Sequence, residues 1–99
     1  EKRRDLILSL AEEIPGMLCN VPTGAFYIFP DISSYFGKTL RGKTINTASD
    51  FSMFLLEEAL VATVTGEAFG NKDCIRISYA ASQKQIVEAM SRIKKALQD

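Results

Sequence analysis

No histidine occurs among the 99 residues. That absence removes mechanisms built on an imidazole base and metal sites that need a histidine ligand. Net charge is missing too: twelve Lys and Arg balance twelve Asp and Glu, and the pI is 6.6. A chain so balanced lacks the basic footprint of a nucleic-acid binder and the polybasic stretch of a membrane contact. No apolar run approaches the roughly 20 residues of a membrane-spanning helix, and the opening residues do not read as a signal peptide. Cysteine is scarce. Cys19 and Cys74 have no metal-ligand spacing and read as small buried thiols of a reducing compartment.

What is present describes one globular domain. Hydrophobic residues make up 46% and charged residues 24%, ordinary values for a soluble fold. A chain this short has a single core and buries about 60–70% of its unfolded surface.

The chain opens Glu1-Lys2-Arg3-Arg4-Asp5 and enters a helical pattern at once. Leu6, Leu10 and Ile14 share one face with Ile7 beside them, and Pro15-Gly16 stops the helix. Three cations in a first turn oppose the helix macrodipole, so the chain is expected to be a piece of a longer protein whose helix starts upstream. An extended segment over Met17–Val21 follows, then a turn at Pro22-Thr23-Gly24. Ala25-Phe26-Tyr27-Ile28-Phe29 is apolar on both faces, which predicts an interior strand. Asp31 to Asn46 reads as a surface loop, with a short helical turn near Ser33–Phe36.

Thr47-Ala48-Ser49-Asp50 has N-capping chemistry for a second helix, with Phe51, Phe54 and Leu55 as its stripe and Met53, Leu56 and Leu60 widening it. Val61–Val64 predicts a strand ending at Thr65-Gly66. The linker from Gly66 to Asp73 is no phosphate fingerprint: its glycines stand four apart and no helix follows. Ser82, with Gln85 as capping-box partner, starts a last helix carrying Ile86, Met90, Ile93 and Leu97 inward. Glu88 and Arg92 form an i,i+4 pair on it, and Lys94 and Lys95 suit its final turn. The expected fold is α+β: a small, mostly antiparallel sheet with helices packed on one face.

The stretch Cys74-Ile75-Arg76-Ile77-Ser78-Tyr79-Ala80 alternates as a strand does. Ile75, Ile77 and Tyr79 share one face; Cys74, Arg76 and Ser78 share the other. Arginine stays protonated and offers a planar fork of donors matching a carboxylate or phosphate. Arg76 therefore has two readings: a charge paired with a structural carboxylate or set at a sheet edge, and a binding fork. No nucleophile-and-base pair, carboxylate dyad or metal cluster is legible, so neither a catalytic nor a metal-ligating residue is assigned. The seven lysines sit among polar neighbours, unsuited to the lowered pKa that an imine-forming lysine needs.

Four blocks resemble class I pyridoxal-phosphate aminotransferases. Pro22-Thr23-Gly24-Ala25-Phe26-Tyr27-Ile28-Phe29-Pro30 resembles their P-x-G-A-F-Y-x-F-P run, and Leu55 to Val64 their L-L-E-E-A-x-V-A-x-V. Gly66-Glu67-Ala68-Phe69-Gly70 and Arg76 to Ser82 are similar to G-x-A-F-G and R-I-S-Y-A-x-S. All four stand in the family's order, and the likeness is greatest to the bacterial aspartate and aspartate/prephenate branch.

The resemblance implies that residues 1–99 are the C-terminal small domain of a longer, cytoplasmic, homodimeric enzyme acting on an amino acid and a 2-oxo acid. It makes Arg76 the fork that binds the substrate α-carboxylate as the small domain closes over the site. It sets Phe69 near the substrate side, where the alternative is a packing aromatic. Pyridoxal phosphate and its lysine would belong to the large domain, so no cofactor-binding residue is expected here and this piece alone would be inert. Thr65 departs from the family's usual proline, a change expected to alter only the stiffness of that turn. Two other classes remain open: a small regulatory module that senses an amino acid through Arg76, and a structural domain at a dimer interface.

Overall fold

The computed structural model describes residues 2–19, 27–78 and 82–98 and, of Phe69, the backbone. Among the described residues, three α-helices and seven short strands follow one another: α1 Lys2–Glu12, β1 Leu18–Cys19, β2 Tyr27–Ile28, β3 Pro30–Asp31, β4 Lys38–Leu40, β5 Lys43–Ile45, α2 Ala48–Glu58, β6 Val64–Thr65, β7 Ile75–Ser78 and α3 Gln83–Leu97. Every strand pairing among them is antiparallel, which bears out the mixed α+β class.

β7 is the centre of a three-stranded ladder in the order β2-β7-β6. Tyr27 faces Ser78 and Ile28 faces Ile77 on one side; Val64 faces Arg76 and Thr65 faces Ile75 on the other. A bridge between Asp31 and Cys74 keeps the β2–β7 register through β3, and β1 pairs with the far side of β3. The 27–31 segment is thus interior at its end, between β1 and β7. Pro30 has no N–H to donate, which accounts for the break at Phe29 between two strand pieces. The expected Pro22–Gly24 turn, and Ala25 and Phe26 of the expected strand, lie outside the described residues, as do Tyr79 and Ala80.

Ile28, Ile75 and Ile77 turn inward at 0%, 0% and 4% exposure. Each contributes roughly 1.5–3 kcal/mol by leaving water. Phe51, Phe54 and Leu55 of α2, Ile86, Met90, Ile93 and Ala96 of α3, and Leu40 and Ile45 of the β4 and β5 strands join this core. Met53, Leu56 and Leu60 do not join it. They are 51%, 46% and 74% exposed: Met53 and Leu56 lie on the helix side opposite Phe51 and Leu55, and Leu60 lies past the end of α2 at φ 58°. In α1 the buried seam is Ile7 and Ala11, continued by Ile14, while Leu6 and Leu10 flank it half-buried. Leu97, expected inward on α3, is likewise half-buried, with Ala96 in its place.

Both capping predictions hold. The Asp50 N–H donates to Thr47 Oγ1 at 3.1 Å, and the Asn46 N–H donates to Asp50 Oδ2 at 3.0 Å. Ser82 and Gln85 form a reciprocal capping box. The short turn over Ser33–Tyr35 is present as a 3-10 helix.

The segment read as a surface loop holds a hairpin instead. Lys38 pairs with Ile45 and Leu40 with Lys43 across a two-residue turn, Arg41-Gly42. Both turn residues have positive φ, 51° and 79°, the backbone that twists with a hairpin rather than against it. The Thr39 and Thr44 hydroxyls meet across it at 3.0 Å. The Val61–Val64 strand shrinks to β6, because the Val61 N–H is spent on the Leu55 carbonyl at the end of α2. Leu60, between them, is held at φ 58°.

Candidate functional site

Alternation along β7 sorts its side chains as the sequence requires, except at one position. Ile75 and Ile77 are buried, Arg76 is half-buried and Ser78 is exposed. Partners directly opposite in an antiparallel ladder share a face, so Val64 and Tyr27 stand on the Arg76 side. Cys74 was expected on that side as a small neighbour and is buried, 3% exposed, at the bridge to Asp31. Burial, then Asp31 and Asp73, push its thiol pKa up.

The Arg76 guanidinium carbon lies over the Tyr27 ring, 4.3 Å from its centroid. That is well inside the roughly 6 Å at which a cation is attracted to a ring face. Tyr27 lies diagonally across the ladder from Arg76, two positions off its own partner Ser78. Sequence reasoning missed this contact, since it depends on the register between two strands far apart in the chain.

The linker before β7 is tightly folded. Gly66 donates its N–H to the Cys74 carbonyl at 2.7 Å, and Asn71 donates back to the Gly66 carbonyl at 2.8 Å. A Cβ at position 66 would lie 2.0 Å from the Asn71 oxygen, so only glycine fits there. Residues Gly66–Phe69 form a 3-10 turn; the side chain of Phe69 lies outside the described residues. Thr65 has φ −69°, the angle a proline ring imposes, so its backbone already takes the shape the family's proline would give.

The two thiols are free. Cys19 is half-buried, and burial followed by the charge of Glu12 raises its pKa from 9.0 to about 11. Among the described residues no cluster of three or more His, Cys, Asp or Glu could hold a metal ion, and no helix is long and apolar enough to cross a membrane.

An α+β unit of three helices on short antiparallel ladders, with an arginine on the outer face of the central strand, is a shape found in solved transaminases. It superposes on the crystal structure of the aspartate aminotransferase from Rhizobium meliloti with a TM-score of 0.92 and 45% identity, over 98% of this chain and 24% of that one. On the aromatic aminotransferase from Pyrococcus horikoshii the TM-score is 0.82 at 38% identity, over 98% and 24% of the two chains. Residues 1–93 match the family model for aminotransferase class I and II. The chain belongs to that family. An aspartate aminotransferase of Streptomyces avermitilis is 42% identical over 99 residues, all of this chain and 24% of the relative. A probable aspartate/prephenate aminotransferase of Rickettsia bellii is 47% identical over 97 residues, 97% and 24% of the two. The chain thus spans about a quarter of the length of these relatives.

Proposed function

We propose that residues 1–99 are the C-terminal small domain of an aminotransferase that exchanges an amino group between an amino acid and a 2-oxo acid. The names of the relatives favour aspartate as one amino acid. In this reading Arg76 binds the substrate α-carboxylate through its planar fork of N–H donors, which gives both charge and orientation. The observation that carries it is the placement of Arg76: mid-strand on the central β7, on the outer face, with its immediate neighbours Ile75 and Ile77 buried behind it. A carboxylate approaching that face meets a charge whose backbone is fixed by the core.

The family implies pyridoxal phosphate, and the described residues do not fit that group. None of the seven lysines is buried. The half-buried ones are engaged with carboxylates: Lys43 with Glu57 and Glu58 at 2.8 and 3.1 Å, Lys94 with Glu13 at 3.3 Å. No chemical step is therefore assigned to this chain. The cofactor, its lysine and the second subunit of a cytoplasmic homodimer are assigned to the longer enzyme, and residues 1–99 alone are expected to be inert.

The test is Arg76→Ala in the full-length enzyme, with steady-state rates for its amino-acid substrate. A loss of kcat/KM of at least about tenfold, equal to roughly 1.4 kcal/mol, is expected. A smaller loss would contradict the carboxylate role.

A further inference from the structure

We infer that Tyr27 is a positioning residue for Arg76, holding the guanidinium in place before substrate arrives. The inference rests on the reading of Arg76 as a carboxylate binder and adds a residue to it. Arginine has a long, flexible stem, and a binding fork loses rotamer freedom when it engages a ligand. An aromatic face beneath the guanidinium removes part of that freedom in advance, and preorganisation of this kind raises affinity.

Three observations support the assignment. The guanidinium carbon is 4.3 Å from the centre of the Tyr27 ring. The ring stands on rigid backbone: Tyr27 pairs with Ser78, and the adjacent pair Ile28–Ile77 is buried in the core. Tyr27 and Arg76 stand on the same outer face, diagonal to one another in the ladder, a separation aromatic and long side chains can span. Contact through the ring face also uses none of the N–H donors of the fork, so holding the guanidinium and binding a carboxylate are compatible.

The experiment compares Tyr27→Leu and Tyr27→Phe in the full-length enzyme, alone and combined with Arg76→Ala. Because the ring acts on binding, Tyr27→Leu should raise KM for the amino acid roughly fivefold while kcat stays within about twofold. Tyr27→Phe keeps the ring face and should stay within about twofold of the parent in both constants. On the Arg76→Ala background Tyr27→Leu should add less than about twofold, because its effect runs through the arginine. Should Tyr27→Leu not fold, Tyr27→Met carries the same expectations. An unchanged KM in the leucine variant, or a phenylalanine variant as impaired as it, would overturn the inference while leaving Arg76 intact. No effect of Arg76→Ala itself would instead overturn the reading beneath it.

Discussion

The β4–β5 hairpin and the ladder around β7 are both antiparallel and both reach the core, yet their charged residues have different surroundings. The hairpin buries Leu40 and Ile45 at 7% and 0% exposure, and its outward charges are tied to a neighbouring helix. Arg41 reaches Glu58 at 3.2 Å, and Lys43 bridges Glu57 and Glu58 on α2. In the β7 ladder the isoleucines are buried to within a few per cent, and the charged residue rests on an aromatic ring. Exposed ion pairs contribute little to stability and can be exchanged or lost. A ladder anchored by its core can present a charged fork on its outer face without depending on that charge to stay folded. On the proposed reading, charge ties elements together in one region and serves recognition in the other.

The contrast breaks most visibly at Ile75, fully buried in β7. Ile75→Ala is expected to cost about 2–5 kcal/mol in a denaturant titration, the ordinary result of emptying a core site. Leu60→Gly should act in the opposite direction and by less. Leu60 holds φ 58° at the end of α2, a conformation that costs a non-glycine residue about 1 kcal/mol; a thermal melt should show a gain of that order.

The smallest effect belongs to the hairpin tether. Lys43 and then Arg41 hold the Glu58 carboxyl below its usual range. Glu57 and then Glu58 hold the Lys43 amine above its own. A lowered acid contributes stability above its unfolded pKa and loses it as pH falls through the folded value. A raised base contributes below its unfolded pKa and loses the contribution as pH rises through the folded one. The tether's contribution should therefore be flat across neutral pH and decline at both extremes. Glu58→Gln should remove the acid-side decline, with a stability change smaller than that of Leu60→Gly. A melt series against pH checks it.

Much of this was legible in the sequence because it depends on local chemistry. Thr47 with Asp50 and Ser82 with Gln85 form caps through atoms three residues apart, and the Ile75/Ile77 alternation names its own inner face. The hairpin was missed because its signal is a two-residue turn whose first member is Arg41, an unusual residue at positive φ, while Gly42 alone reads as a loop. The second helix was over-assigned because its outer side is also apolar: Met53 and Leu56 look like core to a periodicity argument. Arg76 was visible as a candidate, but Tyr27 beneath it was not. Pairing residues 27 and 78 is a matter of tertiary register, and no local pattern encodes it.

The central claim is that Arg76 recognises a carboxylate rather than bracing the sheet. The most direct measurement is the ratio of dissociation constants, in the full-length enzyme, for an amino acid and its α-carboxamide analogue. The parent should prefer the carboxylate by roughly tenfold or more, as a charge-assisted fork implies. Arg76→Ala should abolish that preference while leaving the melting temperature near the parent's. An unchanged preference in the variant, or a collapse of stability with no change in the ratio, would contradict the account.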